Sequence, residues 1–289
     1  MSERPRPQRV VRSATVLRTE TLSPSLVRIV FGGPDLAALP ELTYTDHYVK
    51  LLFPPAGADY AWPFDTEEIR GSRPAQLWPV TRTYTIRWFD RDTGELAIDF
   101  VVHGDAGLAG PWAANAQPGD MLGFNGPGGA YAPDPEASHL LAGDEAALPA
   151  IAAALERLPA DAQADVFVEV ADAAHEIPLR VTERTRLVWV HRGDAPYGLA
   201  LAQAVRRQWT PRADSQVFAH GNAELVRDLR RFLFVEHKVD RRAVSISGYW
   251  RTGFTEDRWQ STKRELAEQM EHEEAAQLPD VSGSRTLSA

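Results

Sequence analysis

Residues 138–158 read SHLLAGDEAALPAIAAALERL, directly after the proline-punctuated stretch Pro133-Asp134-Pro135. Ser138–Ala142 is an apolar run of strand length. Glu145–Leu158 is rich in alanine, the best helix former, and is predicted as a helix. The same rhythm continues downstream. Strands are predicted at Asp165–Val170, Leu187–His191, Ser215–Ala219 and Ala243–Ser247, and a helix at Gly198–Trp209. A further helix is predicted at Ala223–His237, where Leu225, Val226, Leu229, Phe232 and Leu233 recur at helical spacing. Strands alternating with helices imply a parallel sheet covered on its faces by helices.

Upstream of Pro133 the rhythm differs. Thr15–Glu20 and Leu26–Phe31 are strand-like runs separated by the turn signal Leu22-Ser23-Pro24. From His47 to Phe53 the chain alternates, with His47, Val49, Leu51 and Phe53 on one side and Tyr48, Lys50 and Leu52 on the other. Arg82–Phe89 and Leu96–His103 flank the hairpin turn Asp92-Thr93-Gly94, and Pro118-Gly119-Asp120 leads into Met121–Phe124. Short strands at this spacing predict an antiparallel barrel or sandwich. The expected organisation is a flexible N-terminus (1–12), a β domain (13–134), an α/β domain (138–254), a polar helix (255–275) and a disordered tail (276–289). Thr255 is placed to cap that helix, and Glu256 and Asp257 suit its positive N-terminal end.

Bulk properties narrow the chemistry. Among 289 residues there is no cysteine, which excludes disulfides, thiol nucleophiles and cysteine-held iron–sulfur clusters within the chain. Redox chemistry would therefore need a bound organic cofactor or metal. The net charge of −9 argues against general nucleic-acid binding. No apolar run approaches the ~20 residues of a membrane span. Met1–Arg12 lacks the apolar core of a secretory signal, so a cytoplasmic location is expected, with a monomer as the default state.

The most informative local sequence is Arg82-Thr83-Tyr84-Thr85-Ile86-Arg87. On a strand, Arg82 and Tyr84 point to the same face. A guanidinium can clamp a phosphate with two parallel bonds, and a tyrosine two residues on offers an aromatic surface to a flat ring. The plainer reading is an exposed strand with one snorkelling arginine and a half-buried tyrosine.

The chain resembles the siderophore-interacting proteins, flavoproteins related to ferredoxin–NADP reductases. Their Arg-x-Tyr-Thr-x-Arg strand is matched by Arg82, Tyr84, Thr85 and Arg87. Four further segments follow in order: Asp99–Gly104, Gly110–Ala113 with Pro118-Gly119-Asp120, Ala142–Ile151, and Ser247–Gly253. The match extends over roughly residues 13 to 265. The resemblance implies a six-stranded FAD-binding barrel followed by a nucleotide-binding-like parallel-sheet domain, and a reductase of ferric siderophores that draws electrons from NAD(P)H or reduced ferredoxin.

By the same resemblance Arg82 would bind the FAD pyrophosphate, Tyr84 would stack on the isoalloxazine, and Thr85 would sit at its reactive nitrogen edge. Arg87 completes the motif. His103, Gly104, Pro111 and Trp112 would line the flavin and its phosphates, and the small residues Ala109 and Gly110 suit close approach to phosphate. His103 could equally end a strand in water, and Trp112 could belong to the core. Asp144, in the segment that also carries Ala147, reads as a helix cap with a contact to FAD. Tyr249 and Trp250 end the last predicted strand, where open α/β sheets bind ligands. Trp250 is a candidate for the cofactor and Tyr249 for the substrate, with domain-interface packing as the competing reading. Lys50 matches a family lysine that holds the anionic ferric complex, although a solvated lysine is the ordinary case. Gly128 stands where some members carry an arginine, which favours a hydroxamate or mixed-ligand siderophore over a tris-catecholate. Arg192 suits either a donor 2′-phosphate or a solvated loop.

The eight histidines show no metal-binding spacing, so no protein-held metal is expected and iron would arrive chelated. Outer-sphere electron transfer needs no acid or base, and no catalytic acid or base is assigned. Two other functions fit the same residues. One is a general flavin or ferredoxin-type reductase with another acceptor. The other is a siderophore-binding protein with a degenerate flavin site.

Overall fold

The computed structural model describes residues 10–104 and 107–277. The stretches 1–9 and 278–289, which hold most of the expected flexible N-terminus and disordered tail, lie outside the described residues. Val11 and Arg12 do not belong to a flexible segment. They begin the first strand and pair with Asn125 and Phe124.

Six strands form a closed antiparallel barrel: β1 (Val11–Ser23), β2 (Leu26–Gly32), β3 (Tyr48–Phe53), β4 (Val80–Asp90), β5 (Glu95–Val101) and β6 (Met121–Gly128). Their order around the barrel is β1-β2-β5-β4-β3-β6, and β1 closes it against β6. Alternation does the work the sequence suggests. Val49, Leu51 and Phe53 turn inward with Phe31, Ile98 and Phe100. Helix α1 (Thr66–Ser72) is capped by Asp65, whose carboxylate accepts from the amides of Glu67 and Glu68. Helix α2 (Ala109–Asn115) buries Ala109 and Ala113 against the barrel.

The second domain is a parallel sheet of order β11-β10-β7-β8-β9. Its strands are β7 (Ser138–Asp144), β8 (Ala164–Val170), β9 (Thr185–His191), β10 (Ser215–Asn222) and β11 (Val244–Trp250). Helix α3 (Leu148–Arg157) covers one face with Leu141, Val166 and Val168. Helices α4 (Leu199–Gln208) and α5 (Ala223–Arg230) cover the other with Leu140, Ala142 and Val217. Helix α3 starts later than Glu145 because residues 145–147 form a turn held by Asp144, and Pro149 then occupies the first helical turn, where its missing N–H costs nothing. The helix expected over Ala223–His237 changes to a π-helical turn at Arg231–Glu236.

The two domains share a seam. Leu26 and Val101 of the barrel pack into the α3 core. Arg87 pairs with Glu156, and Arg157 donates to the carbonyls of Leu42 and Thr43. Asp46 accepts from the amides of Ala130 and Tyr131 at 2.8 Å each, which pins the β3 entrance to the interdomain connection.

Helix α6 (Glu256–Gln277) lies across this assembly. The Thr255 hydroxyl accepts from the Arg258 amide, so the cap expected there forms. Trp259, Leu266 and Met270 anchor the helix on Ala223, Val226 and Phe254. Each such buried side chain contributes about 2 kcal/mol of transfer free energy. No helix among the described residues is long and apolar enough to cross a membrane.

Candidate functional site

The barrel wall of the site is β4. Tyr84 pairs with Val49 and Arg82 with Leu51, while Thr83 and Thr85 pair with Lys50 and Tyr48. Directly paired residues share a face. Arg82 and Tyr84 therefore lie on the Val49/Leu51 side, and Lys50 and Tyr48 share the other side with Thr83 and Thr85. The Tyr84 ring packs on Phe100 at 4.4 Å between centroids. Burial pushes its hydroxyl pKa up, the nearby Glu256 charge adds to the rise, and Arg82 opposes it.

The α/β wall is formed where β7, β10 and β11 end. Asp144 is buried at the end of β7. Its Oδ2 accepts from Trp250 Nε1 and from the Asn222 amide at 2.8 Å each, and its Oδ1 from the Ala146 amide at 3.0 Å. Burial pushes this carboxyl up to about 6 against the pull of those donors. Gly221, at φ +135, permits the approach, since a Cβ there would stand 2.6 Å from Asp144 Oδ2. On β10, His220 stacks on Phe218 at 4.0 Å and meets the edge of Tyr249 at 5.0 Å. Its Nε2 pairs with Ser245 Oγ at 2.9 Å, and its buried Nδ1 has no partner. Burial, with help from the Lys263 charge, lowers its pKa to about 3, so the ring is neutral. The Tyr249 phenol lies near Thr85 and so brings the two walls together.

A third wall comes from α6. Glu256, Gln260 and Lys263 recur at helical spacing, and Gln260 donates to Glu256 at 3.0 Å. Asp257 receives both Nη atoms of Arg82, at 3.1 and 3.2 Å. Burial raises the Glu256 pKa. Burial also lowers the Lys263 pKa, Glu256 opposes that effect, and the charge of Lys50 reinforces it. Lys50 and Lys263 thus approach each other from the barrel and from α6, both half-buried.

The residues fit a flavin dinucleotide. Arg82 already holds a two-oxygen anion with its guanidinium fork, the geometry that also clamps a phosphate. Gly110 leaves room beside the Val101 carbonyl, which a Cβ would approach to 3.3 Å. Two buried ring nitrogens, His220 Nδ1 and His47 Nε2, have no hydrogen-bond partner.

Several expected site residues lie elsewhere or serve other contacts. Arg87 turns into the domain seam and is paired with Glu156. Trp112 packs on Phe31, Phe53 and Phe100 at 5.9–6.4 Å between centroids, which makes it part of the barrel core. His103 and Gly104 are exposed beyond β5, Gly104 at φ +59. Pro111 lies in α2 beside Gly110. Ala147 is fully buried at the entrance to α3. Trp250, besides its bond to Asp144, meets Tyr197 edge-on at 4.8 Å. Arg192 is not a solvated loop arginine, its side chain being only 12% exposed. It lies over the Tyr197 ring at 3.9 Å and 3.9 Å from the buried Glu169 carboxylate.

Sequence reasoning missed Lys263, Asp257 and His220. Glu256 and Asp257 read only as dipole-complementing residues at a helix start. The one available signal was that Lys263 falls two turns after Glu256, on the same helical face. Among the described residues no cluster of His, Asp and Glu is placed to hold a metal ion.

Comparison with known proteins agrees with this geometry. Residues 15–131 match the siderophore-interacting FAD-binding domain, and residues 136–253 match the siderophore-interacting protein domain. The chain is 34% identical over 265 residues to the NADPH-dependent ferric-chelate reductase of Escherichia coli, covering 86% of this chain and 99% of that protein. It is 33% identical over 247 residues to the ferric vibriobactin reductase ViuB of Vibrio cholerae, covering 83% and 89%. The solved structure of the siderophore-interacting protein SipS from Aeromonas hydrophila superposes with a TM-score of 0.78 at 31% identity, covering 90% of this chain and 99% of that one. With both halves matched in order, the chain belongs to the siderophore-interacting protein family of FAD-binding ferric-siderophore reductases.

Proposed function

We propose that this protein takes electrons from NAD(P)H through bound FAD and delivers them to a ferric siderophore docked at Lys50 and Lys263, releasing iron as Fe(II). The observation that carries this reading is a pair of half-buried lysines, Lys50 on the barrel-wall face it shares with Thr83 and Thr85 and Lys263 on α6, near enough for one charge to act on the other. Two ammonium groups partly shielded from water form a seat for a chelate with excess negative charge. Bound FAD supplies the coupling of a two-electron hydride donor to a one-electron acceptor. The protein's own residues bind and orient. Arg82 would hold the pyrophosphate, Tyr84 the ring system and Thr85 its nitrogen edge, and Tyr249 and Trp250 would border the donor side. Asp144 fixes the Trp250 indole through its Nε1–H. Fe(II) binds hard oxygen donors less tightly than Fe(III), so reduction amounts to release.

The E. coli relative's use of NADPH supports the choice of donor. Stopped-flow reduction of the FAD-loaded protein by NADH, NADPH and reduced ferredoxin in parallel tests it. Rapid bleaching by a nicotinamide nucleotide is expected, and bleaching by ferredoxin alone overturns that choice. Anaerobic titration of the reduced protein with ferric siderophore tests the acceptor. Reappearance of the oxidised flavin spectrum together with Fe(II) is expected. A reduced protein that no ferric chelate reoxidises refutes the proposal.

A further inference from the structure

Tyr48 and Gly128 face each other across the β3–β6 pairing. Tyr48 is 38% exposed, although its strand neighbours Val49 and Leu51 are buried. It lies on the same side of the barrel wall as Lys50, Thr83 and Thr85. A Cβ added at Gly128 would stand 2.6 Å from Tyr48 Cζ, 2.7 Å from its hydroxyl oxygen and 3.0 Å from Cε1. The ring therefore fills the volume that a side chain at 128 would need. An aromatic at 48 and a side chain at 128 exclude one another in this arrangement. Tyr48 also lies near Tyr249 of β11.

A single exposed aromatic needs no explanation by itself. This one differs because the opposing position is glycine, because it adjoins the docking lysine, and because it borders the residue expected at the flavin's nitrogen edge. Consecutive outward positions on a strand lie about 7 Å apart, so one small chelate can touch Tyr48 and Lys50 together. We infer that Tyr48 is a specificity-determining residue: its ring, seated over Gly128, stacks on an aryl iron-binding group of the chelate, so that ferric complexes of catecholate or phenolate donors are preferred over trihydroxamates. Aryl donors present a π face that an offset ring can meet, whereas hydroxamates on alkyl chains present none. This inference rests on the ferric-reductase reading of the site and refines it. Gly128, which in the sequence alone favours hydroxamates because it replaces a cation, here makes room for an aromatic wall that reverses that expectation, and Lys263 provides a second positive charge from α6.

The test compares two substrates, ferric tris(2,3-dihydroxybenzoate) and ferrioxamine B, with anaerobically reduced, FAD-loaded protein. The readout is the ratio of their kcat/KM values in wild type, Tyr48→Phe, Tyr48→Leu and Gly128→Ala. Retained flavin absorbance and circular dichroism verify folding of each variant. Tyr48→Leu is expected to shift the ratio against the aryl chelate by roughly three- to tenfold, the size of an aromatic pair. Tyr48→Phe keeps the ratio, and Gly128→Ala shifts it as Tyr48→Leu does, because the new methyl displaces the ring. An unchanged ratio in Tyr48→Leu overturns the inference and leaves the reductase reading standing. If neither chelate reoxidises the wild-type flavin, the reductase reading falls and the inference falls with it.

Discussion

Arg82 of β4 and Asp257 of α6 form a two-pronged ion pair, Nη1 to Oδ1 at 3.1 Å and Nη2 to Oδ2 at 3.2 Å. The arginine side chain is 15% exposed and the aspartate 61%, so the carboxylate approaches a largely shielded cation from the solvent side. A carboxylate offers the fork the same two oxygens that a phosphate would. FAD pyrophosphate and Asp257 are therefore expected to compete for Arg82. Asp257→Asn should tighten FAD binding by about threefold, a modest gain because exposed pairs are worth little. Arg82→Ala should weaken it by ~30-fold or more through loss of charge-assisted bonds. Flavin fluorescence quenching on titration into apoprotein measures both. Weaker FAD binding by Asp257→Asn would show that the aspartate supports the cofactor instead of competing with it.

Lys263 gives the docking step a pH dependence. Burial lowers its pKa, and Lys50 lowers it further against the pull of Glu256. The ammonium is present below that depressed pKa and is lost as pH rises through it, earlier than for a lysine in water. The kcat/KM for an anionic ferric chelate should fall on the alkaline side correspondingly early. Lys263→Gln should remove that limb, lower kcat/KM about tenfold and flatten its dependence on ionic strength. The pH–rate and salt profiles of the two proteins, measured with one anionic chelate, decide it. Superimposable profiles exclude Lys263 from the docking site.

Asp144 and His220 pull stability in opposite directions with pH. The folded-state pKa of Asp144 is raised to about 6 by burial, so its contribution is fully present below the carboxyl's unfolded value and is lost as pH rises through about 6. The folded-state pKa of His220 is lowered to about 3, so its contribution is present above the unfolded histidine value and is lost as pH falls towards 3. His220→Gln should blunt the acid-side loss. Asp144→Asn should flatten the slope around pH 6. It should also cost about 2 kcal/mol at pH 8, because a single amide oxygen cannot accept from Trp250, Asn222 and Ala146 in the present geometry. Urea unfolding of apoprotein across pH 4.5–8 supplies the curves. A wild-type slope retained in Asp144→Asn would remove Asp144 from this account.

These residues show where the sequence was legible and where it was not. Arg82, Tyr84 and Thr85 could be read together because they are neighbours on one strand, and strand periodicity alone fixes which of them share a face. The parallel sheet was readable because its strands are apolar runs, most of them separated by helices of about ten residues, although β8 and β9 are joined without one. Helices α1 and α2, of seven residues each, are too short to show a helical period. The first residues of β1 escaped notice for a related reason. Arg12 and Ser13 are polar, and only their pairing with Phe124 and Gly123 makes them strand. Trp112 was ambiguous because an aromatic beside a flavin and one in a barrel core have the same sequence signature. Asp257 and Lys263 join the site through the docking of α6, a tertiary event that no local pattern encodes. His220 was one of eight scattered histidines until the sheet placed it against Tyr249.

That docking depends on the far end of the same helix. Glu274 is buried and accepts from Arg230 Nε at 2.5 Å and Nη2 at 3.0 Å, and Arg241 donates to the same carboxylate. The two guanidiniums lie over the Phe234 ring at 5.3 and 4.2 Å. Removing the carboxylate leaves Arg230, only 10% exposed, without its principal partner. Breaking a buried pair on one side costs about 3 kcal/mol or more. Glu274→Ala should therefore destabilise the protein by about that amount, and Glu274→Gln by less, because its amide oxygen still accepts. Hydrogen exchange should then accelerate along α6 before the barrel strands lose protection, since the remaining buried apolar anchors of the helix are Trp259, Leu266 and Met270. If Glu274→Ala unfolds within about 1 kcal/mol of wild type, the triad does not anchor α6. The placement of Asp257 on Arg82, and of Lys263 beside Lys50, must then come from the apolar contacts of the helix.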